Sequence, residues 1–504
     1  MEYNGNLIFA HNPIVNLRND DWCIVAGNRF RNTIDNEKNW IFRPNVGLIY
    51  TFFNGKRTVN DVAEIVSYFR NIKEQDNPQK AARRMVWKLL EEVDVLNSRS
   101  KNGKNIDFEN RILLHAEELA DLDIDAPLHD TNEFIANESE YSHFSKIGKL
   151  KQPLLIQFIM TEKCATDCSY CYMDRSYNVD KNLMPWSRIK EMIEEINSFK
   201  IATIDLLGGD IFLYEHFWNV MDLLAEYRFP AIHLSTKTYI SPEIAKRIKE
   251  HPAIASIQFS LDSTVPEIAD YLTNTKGFYQ RIKESVKNCK NAGVQQIDIK
   301  SVITPYNILT IPRLYRDLDA WDVSTITVAT YGRSGKRHHP SLFNWEKDYI
   351  WLEKQLEKLK VELPHRIDQI GYQNGSPDEE PVPKEEVLKK WELRTEVCTA
   401  GKTQLAIYGD GRVTFCEQTR IDEAHVLGSI KDNSIEDVWN SDFFNKRTLY
   451  TDKEMFKGTE CYNCDEYIRC RPGGIGCVRD AQTHFGTSWG PIPGCPMAPD
   501  SRFV

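Results

Sequence analysis

From residue 154 onward, the chain alternates between short apolar runs and longer amphipathic segments. Leu154–Met160 is apolar almost throughout, as expected of a parallel strand that is buried on both faces. Five further apolar runs predict strands at Thr203–Leu207, Ala231–Ser235, Ser256–Leu261, Gln296–Ile303 and Thr325–Ala329. Apolar positions between them recur every three to four residues and predict helices. Six strands with interleaved helices predict an α/β fold, either a parallel sheet or a partial barrel, with its chemistry at the carboxyl ends of the strands.

Residues 1–100 have a different pattern, which predicts a small separate domain. The apolar stretches Ile14–Leu17 and Trp22–Val25 flank two aspartates in the manner of a hairpin. A helix is predicted to begin after Thr58, which is a good N-cap residue, and a second helix to begin near Gln79. Strands followed by helices in so short a span predict a winged-helix-like module.

The remaining boundaries follow from changes in composition. Residues 101–150 are polar and partly acidic, so we expect a linker on the surface. The barrel is predicted to occupy 151–335 and a helical bridge 336–395. Residues 396–504 form a cysteine-rich C-terminal domain in this scheme.

Length and charge narrow the function classes. A chain of 504 residues is expected to form two to four domains. The formal net charge of -10 argues against a protein that wraps nucleic acid along its length. No run of eighteen apolar residues predicts a membrane span, and the N-terminus lacks the features of a secretory signal. We therefore expect a cytoplasmic protein without a membrane or nucleic-acid partner.

Twelve cysteines in a reducing compartment need an explanation other than disulfides. Ten of them fall into two groups, one of three and one of seven: Cys164, Cys168 and Cys171, then Cys398, Cys416, Cys461, Cys464, Cys470, Cys477 and Cys495. Thiols grouped in this way are typical of metal ligands. The remaining two, Cys23 and Cys289, are predicted to be small core residues.

The first group directly follows the first barrel strand with the spacing C-x3-C-x2-C. Three thiolates bound to a cubane of four irons leave one iron open to an external ligand. The alternative is a zinc site with three cysteines and one histidine. No histidine lies within twenty residues of this group, which favours the iron–sulfur interpretation.

This motif, with Tyr170 before the last cysteine, resembles the signature of the radical S-adenosylmethionine superfamily. The resemblance implies that S-adenosylmethionine chelates the open iron. It also implies that reductive cleavage of this cofactor yields a 5′-deoxyadenosyl radical, which abstracts a hydrogen atom from the substrate. Cys164, Cys168 and Cys171 are then the catalytic cluster ligands, and Tyr170 is expected to pack near the adenine. The implied fold is a partial (β/α)6 barrel.

Further positions resemble cofactor-binding positions of this superfamily by their order behind the motif. Gly208, Gly209 and Asp210 follow the second strand and resemble a Gly-Gly-Glu turn, with the shorter Asp in place of Glu. Cofactor contacts are also implied for residues at the ends of the third and fourth strands, Ser235, Lys237, Ser260 and Asp262. Taken alone, such residues are more often a simple turn or a solvated strand end.

The C-terminal cysteines resemble the SPASM extension, which holds two auxiliary [4Fe–4S] clusters. The resemblance implies an inner cluster on Cys398, Cys416 and Cys477, and an outer cluster on Cys461, Cys464, Cys470 and Cys495. Six residues separate Cys470 from Cys477, where this family often has three, and a zinc ribbon is the alternative. The total expectation is three [4Fe–4S] clusters. The inner cluster has three thiolates, so one iron is either open or held by an oxygen ligand, for which Glu396 and Asp410 are nearby.

Residues 40–97 resemble the PqqD-like peptide-recognition element, which implies that a precursor's leader binds there as an added strand against a helix. That helix is predicted at Gln79–Val95, and its basic residues, which could pair with an acidic leader, are Lys80, Arg83, Arg84 and Lys88. The alternative for a winged-helix-like module is DNA binding. Residues 1–100 contain fourteen Lys and Arg against twelve Asp and Glu, which is weak for a duplex-binding domain.

Together these features predict a peptide maturase that forms an intramolecular crosslink in a ribosomally made precursor. A thioether is the favoured bond, and a carbon–carbon or carbon–oxygen crosslink is the alternative. A second enzyme class is a sulfatase-type maturase that oxidises one side chain of a protein. A non-enzymatic alternative is an iron–sulfur redox-sensing regulator. The predicted partners are the precursor peptide and an electron donor such as flavodoxin or ferredoxin.

Overall fold

The computed structural model describes most of the chain. The described residues are 3–13, 15–20, 23–28, 40–93, 111–121, 125, 127–135, 149–173, 175, 178–227, 229, 232–332, 339–369, 398–472, 474, 476–493 and 495–498. They divide into two compact units. The first comprises Met1–Leu154 with Ile196–Thr203 and Phe229–Ala231, and the second comprises Leu155–Glu195, Ile204–Arg228 and Ile232–Val504.

The first unit contains two small antiparallel sheets. Its strands are β1 (Ile8–His11), β2 (Val15–Asn19), β3 (Ile24–Asn28), β4 (Trp40–Phe42), β5 (Asn54–Thr58) and β6 (Leu113–His115). One sheet has the order β5-β1-β6 and the other the order β2-β3-β4. β2 and β3 pair from Val15 opposite Asn28 to Asn19 opposite Ile24, which is the hairpin predicted around Asp20. Ile14, Asp21 and Trp22 lie outside the described residues.

The described residues of the first unit also form five α-helices: α1 (Pro44–Tyr50), α2 (Val59–Ser67), α3 (Arg70–Lys73), α4 (Pro78–Glu92) and α5 (Ala116–Asp121). α2 begins after Thr58, as predicted, because the Thr58 side chain accepts from the Asp61 amide and the Asp61 carboxylate accepts from the Thr58 amide. α4 begins one residue before the predicted start. The predicted apolar face of α4 is buried, and its residues are Ala82, Val86, Leu89 and Leu90.

Part of the predicted linker belongs to the core of the first unit. β6 pairs with β1 from Phe9 opposite His115 to His11 opposite Leu113, and Leu113 joins the main apolar cluster of the unit. Arg111 and Glu118 form a buried ion pair at 3.0 Å. The expectation of a surface linker is therefore wrong for residues 111–121, because three consecutive buried apolar residues are hidden in an otherwise polar stretch. Residues 101–110 and 136–148 lie outside the described part.

The predicted barrel strands are all present, with bounds shifted by two residues at most: β7 (Leu155–Ile159), β8 (Thr203–Leu207), β9 (Ile232–Thr236), β10 (Ile254–Ser260), β11 (Ile297–Ile303) and β12 (Thr325–Thr330). β9 to β12 form one sheet in sequential order, and every pairing in it is parallel. β7 lies beside β8 in a second sheet. The helices after these strands are α6 (Trp186–Ser198), α7 (Phe217–Glu226), α8 (Pro242–Glu250), α9 (Pro266–Thr273), α10 (Phe278–Ala292), α11 (Ile311–Ala320) and α12 (Glu346–Glu362). The α/β barrel architecture is confirmed.

The cysteine-rich region adds strands to the barrel sheet. Its elements are β13 (Gln404–Tyr408), β14 (Arg412–Thr414), β15 (Gly428–Ser429), α13 (Ile435–Asn440), α14 (Asp442–Thr448), α15 (Tyr467–Cys470) and α16 (Val478–Phe485). β13 pairs in parallel with β7, from Gln404 opposite Leu155 to Tyr408 opposite Ile159. The sheet order is therefore β15-β14-β13-β7-β8, and the C-terminal region packs as an extension of the barrel.

Residues 336–338 and 370–395 of the predicted helical bridge lie outside the described part, and α12 occupies the earlier half of the bridge. No helix within the described ranges is both long and apolar enough to cross a membrane.

Candidate active site and cysteine groups

A cavity of about 550 Å³ opens at the carboxyl ends of the barrel strands. Cys164, Cys168 and Cys171 line it, from the loop that follows β7. Cys168 is buried and the other two cysteines are partly exposed. Thr166 Oγ1 lies 3.6 Å from Sγ of Cys164 and 3.3 Å from Sγ of Cys168, so one hydroxyl contacts two of the three thiols. Three thiols that share one cavity and one polar neighbour fit a cluster held by three protein ligands.

The loop that carries these cysteines is held by the end of α9. The amides of Asp167 and Ser169 donate to the carbonyls of Thr273 and Leu272, both at 3.0 Å. Arg175 Nη1 donates to the Thr166 carbonyl at 3.0 Å, which closes the loop on itself. Backbone hydrogen bonds of this kind fix the positions of the thiols before any ligand binds. Within the described ranges, no three His, Cys, Asp or Glu side chains are placed to hold a single metal ion.

Gly208 and Gly209 allow the turn after β8 to pack on the cysteine loop. A Cβ on Gly209 would lie 2.2 Å from the Lys163 carbonyl oxygen, and a Cβ on Gly208 would lie 2.8 Å from that of Thr161. The Gly209 amide donates to the Thr161 carbonyl at 2.8 Å. Both glycines line the cavity, so any side chain there would push the turn away from the cysteines.

Asp210 also lines the cavity, but its carboxylate is occupied within the protein. It accepts hydrogen bonds from Thr236 Oγ1 at 2.8 Å, from the Lys237 amide at 2.9 Å and from the Thr238 amide at 3.0 Å. A fourth bond comes from the Phe212 amide at 3.2 Å. The side chain therefore ties the turn after β8 to the end of β9.

Tyr170 and Asp262 meet inside the cavity wall. The Tyr170 hydroxyl donates to Asp262, whose other carboxylate oxygen accepts from the Val302 amide at 2.8 Å. Burial raises the pKa of Asp262, and the nearby Lys237 ammonium opposes that rise. Burial alone would lower the pKa of Lys237, but Cys168, Asp262 and Cys171 outweigh it and the pKa is raised. Lys237 Nζ lies 5.5 Å from the centre of the Tyr170 ring, so a cation faces the cysteine loop.

Ser235 and Ser260 both line the cavity at the ends of β9 and β10. Sequence reasoning missed two neighbours, Gln258 and Lys300, which line it as well. Gln258 Nε2 donates to Ser235 Oγ at 3.2 Å. Lys300 is exposed in the middle of the otherwise mostly buried strand β11, and that interruption of an apolar run was the available signal.

The first set of C-terminal cysteines adjoins the same cavity. The thiols of Cys398 and Cys477 are hydrogen-bonded, and Cys416 is close enough to interact with both. Burial raises the pKa of Cys416 to about 11, whereas the hydrogen bond from Cys398 lowers the pKa of Cys477. Residues one or two positions after Cys416 and Cys477 contribute to the cavity lining, namely Glu417, Gln418 and Arg479. Sequence reasoning missed these three as well.

Tyr172 connects the two cysteine groups of the cavity. It is about 42% exposed and lines the cavity beside Cys171. Desolvation of the hydroxyl group of this partly exposed side chain raises its pKa, and the neighbouring Glu417, Cys171 and Cys416 raise it further. The Tyr172 side chain therefore lies close to Cys171 of the barrel loop and to Cys416 of the C-terminal group.

The second set of C-terminal cysteines lies together elsewhere in the same unit. Its members, which interact electrostatically with one another, are Cys461, Cys464, Cys470 and Cys495. Cys470 and Cys495 pack against Ala481 and Ile492. Burial raises the pKa of Cys470 to about 11. The structure therefore brings together the same two sets that the family resemblance groups, and their roles as cluster ligands stay predictions.

Comparison with known proteins agrees with this arrangement. Residues 158–317 match the family model of the radical SAM superfamily, and residues 398–465 match that of the SPASM iron–sulfur cluster-binding domain. The chain carries a radical SAM domain followed by a SPASM domain. In radical SAM domains, S-adenosylmethionine and a [4Fe–4S] cluster supply a carbon-centred radical that abstracts hydrogen. SPASM domains hold further [4Fe–4S] clusters, and three clusters in total are typical of the combination.

Several characterised proteins are similar to this radical SAM chain. The mycofactocin maturase MftC of Mycobacterium tuberculosis is 22% identical over 332 residues, which is 64% of this chain and 78% of that protein. The antilisterial bacteriocin subtilosin biosynthesis protein AlbA of Bacillus subtilis is 22% identical over 59% of this chain and 62% of its own length. The crystal structure of Streptococcus suis SuiB bound to its precursor peptide SuiA has the same fold. It covers 92% of this chain and 95% of SuiB, with a TM-score of 0.61 and 14% identity.

Of the two oxygen ligands suggested for the inner auxiliary cluster, Asp410 lies within the described residues and Glu396 does not. Asp410 is bound by Arg412, whose Nε donates to the carboxylate at 2.7 Å within the turn between β13 and β14. Cys23 and Cys289 are buried core residues, as predicted, and burial raises the pKa of Cys289 to about 12.

Proposed function

We propose that this radical SAM enzyme is a peptide maturase, and that it forms an intramolecular crosslink in a ribosomally made precursor. The observation that carries the proposal is the shared cavity. One wall holds Cys164, Cys168 and Cys171, and residues next to Cys416 and Cys477 form another. A substrate in this cavity is in reach of both the radical chemistry and an auxiliary cluster.

The relatives support a peptide substrate. MftC and AlbA are named for the maturation of mycofactocin and the biosynthesis of a bacteriocin. Each is similar to this chain over more than half of its length. A cavity of about 550 Å³ is large enough for a few side chains of a peptide but not for a folded protein.

We propose a thioether as the bond formed. The inner set offers three thiolates among the described residues, and the carboxylate of Asp410 is bound by Arg412. With three thiolates, one iron of the inner cluster has a free position for the sulfur of a substrate cysteine. Coordination would deprotonate this thiol and hold it near the carbon that loses hydrogen. A carbon–carbon or carbon–oxygen crosslink needs no such position.

We also propose that the first unit binds the leader of the precursor. β4 is an edge strand of the sheet β2-β3-β4, and an added strand could pair along such an edge. α4 exposes the four basic residues predicted to face an acidic leader, Lys80, Arg83, Arg84 and Lys88. An external electron donor such as flavodoxin or ferredoxin remains part of the proposal.

The deciding experiment is mass spectrometry of precursor peptides encoded beside the gene, after anaerobic reaction with the reconstituted enzyme and S-adenosylmethionine. A loss of two hydrogens that depends on a precursor cysteine and blocks its alkylation supports the thioether. A loss of two hydrogens with every cysteine still open to alkylation would indicate a carbon–carbon or carbon–oxygen bond. Oxidation of one side chain without a crosslink would favour a sulfatase-type maturase. Specific duplex-DNA binding without cofactor cleavage would favour a redox-sensing regulator.

Resonance spectra provide a separate test of sulfur coordination. In a chain that lacks Cys164, Cys168 and Cys171, auxiliary signals should shift when saturating precursor is added, and they should not shift with a precursor whose cysteines are serines. Asp410→Asn should leave these spectra unchanged, because its carboxylate is bound by Arg412. Auxiliary-cluster signals that do not shift with the precursor, but that change in Asp410→Asn, would exclude sulfur coordination.

A further inference from the structure

Arg471 is a buried cation beside the outer set of auxiliary cysteines. It follows Cys470 at the end of α15 and is 1% exposed. Its Nη2 donates to the Gly490 carbonyl and lies 4.0 Å from Sγ of Cys461. The guanidinium carbon lies 5.3 Å from the centre of the Phe456 ring.

Two of the guanidinium nitrogens have no hydrogen-bond acceptor in the described part of the chain. These are Nε and Nη1, and both are fully shielded from solvent. None of the ion pairs between described residues includes Arg471. A buried guanidinium without a counter-charge is strongly unfavourable, so the site requires an anion that accepts hydrogen bonds.

The surroundings of the guanidinium identify that anion. A Cβ on Gly476 would lie 2.4 Å from Nη1, so this glycine leaves the space that the guanidinium occupies. Gly476 precedes Cys477 of the inner set, whereas Cys461 belongs to the outer set. Tyr450 is close enough to interact electrostatically with Arg471, with Cys398 and Cys477 of the inner set, and with Cys470 of the outer set. The guanidinium thus lies beside Sγ of Cys461 of the outer set, and next to the backbone of Gly476, which precedes Cys477 of the inner set.

A cubane held by four thiolates carries a net negative charge, and its sulfur atoms accept hydrogen bonds. Reduction by one electron adds a further negative charge. Net charge, hydrogen bonds to sulfur and solvent exposure set the reduction potential of such a cluster. A fixed cation shielded from water therefore stabilises the reduced form more than the oxidised form.

We propose that Arg471 is a positioning residue for the outer auxiliary cluster, which donates N–H hydrogen bonds to its sulfur atoms and raises its reduction potential. The proposal rests on the cluster ligands Cys461, Cys464, Cys470 and Cys495 described above. The hydrogen bond to the Gly490 carbonyl and the contact with the Phe456 ring hold the guanidinium in place. The planar fork of arginine can serve several acceptors at once, which a lysine ammonium cannot do in the same geometry.

The test uses the full chain with Cys164, Cys168 and Cys171 replaced by alanine, so that only auxiliary signals remain. Iron is counted first, and about eight irons are expected from two cubanes. Potentiometric titration followed by electron paramagnetic resonance then gives the midpoint potential of each cluster. Arg471→Met should lower the midpoint potential of one cluster by at least about 59 mV. At a fixed potential, this shift lowers the ratio of reduced to oxidised cluster tenfold.

Two further variants separate tuning from simple packing. Arg471→Lys keeps the charge but loses the fork, so its midpoint should fall by less than that of Arg471→Met. Arg447→Met is the matched control, because Arg447 packs 3.8 Å from the Phe443 ring centre in the same domain, and it should leave both midpoints unchanged.

Three outcomes would overturn the proposal. Full iron content with unchanged midpoints in Arg471→Met would show that the guanidinium does not act on a cluster. Loss of iron in both Arg471 variants would assign the residue to folding alone. If the parent chain without Cys164, Cys168 and Cys171 holds well under eight irons, the assignment of the auxiliary cluster ligands is wrong. The iron count shows this before any Arg471 variant is made.

Discussion

Thr236 Oγ1 donates a hydrogen bond to the carboxylate of Asp210 at 2.8 Å, and this bond joins the ends of two barrel strands. The neighbouring amides of Lys237 and Thr238 add two more bonds to the same carboxylate. Asp210 is 3% exposed, so these bonds are shielded from water. The turn that packs on the cysteine loop therefore has a fixed position relative to Lys237, which faces the thiols.

Asp210→Ala should destabilise the chain and weaken cofactor binding indirectly. It removes the acceptor of the Thr236 hydroxyl and of three backbone amides, at a cost of about 2–3 kcal/mol. Calorimetry should show a lower transition temperature for the radical SAM domain, and titration should show weaker S-adenosylmethionine binding. Asp432→Ala removes an exposed carboxylate and is the control. A wild-type transition temperature in Asp210→Ala would show that this carboxylate does not stabilise the turn after β8 against the end of β9.

Replacement of Cys164, Cys168 and Cys171 by alanine should abolish reductive cleavage of S-adenosylmethionine. About two thirds of the roughly twelve irons should remain, because the two auxiliary clusters have separate ligands. Iron analysis and chromatography of 5′-deoxyadenosine measure the two effects. The matched control is Cys289→Ala, which removes a buried thiol outside both groups and should keep all the iron. Cleavage that survives the triple replacement would refute the assignment of the cluster.

Charge reversal on α4 should weaken binding of the precursor. Lys80, Arg83, Arg84 and Lys88 are exposed, and glutamates there would repel an acidic leader. The expected loss of affinity is roughly tenfold to a hundredfold, since each exposed ion pair contributes up to about 1 kcal/mol. Isothermal titration of the full enzyme measures it, and the loss should shrink at high salt.

A matched control for this variant lies on the neighbouring helix. Arg70→Glu with Lys73→Glu reverses two exposed charges on α3 and should leave the affinity unchanged. Equal affinity of the enzyme for the leader and for a scrambled peptide would count against leader recognition by the first unit.

The first unit should lose stability on mild acidification. His11 is fully buried, and its ring lies 4.7 Å from that of His129. Among the described residues, neither of its ring nitrogens has a hydrogen-bond partner. Burial lowers the pKa of His11 well below 6.5, and His129 lowers it further. Below pH 6.5 the unfolded chain binds a proton that the folded unit does not, so stability is complete above this pH and falls by up to about 1.4 kcal/mol per unit below it.

His11→Phe should reduce this acid sensitivity, because the phenyl ring fills the same space without titrating. Calorimetry at pH 7.5 and at pH 5.5 is the measurement, and the difference between the two transition temperatures should be smaller in the variant. His339→Phe changes an exposed histidine and should retain the sensitivity of the wild type. An unchanged difference in His11→Phe would show that other groups control it.

The spacing of residues along the chain was sufficient to predict the chemistry. Three thiols within eight residues after a buried strand indicate a cluster with an open iron, and this inference needs no information from the rest of the chain. The strand positions followed from apolar runs, because burial on both faces of a parallel strand leaves little choice of residue. The caps of helices such as α2 were equally local, since Thr58 and Asp61 satisfy each other three residues apart.

Only the tertiary structure decided which groups meet across long sequence distances. β13 pairs with β7 although about 250 residues separate them, because the edge of the barrel sheet needs a partner for its backbone groups. β6 pairs with β1 for the same reason, which the polar sequence around it concealed. Asp210 resembled a cofactor contact in sequence, but the neighbouring strand end supplies the donors that its carboxylate binds. No local pattern of the sequence sets Arg471 apart, because its burial beside Cys461 depends on contacts between residues that are distant along the chain.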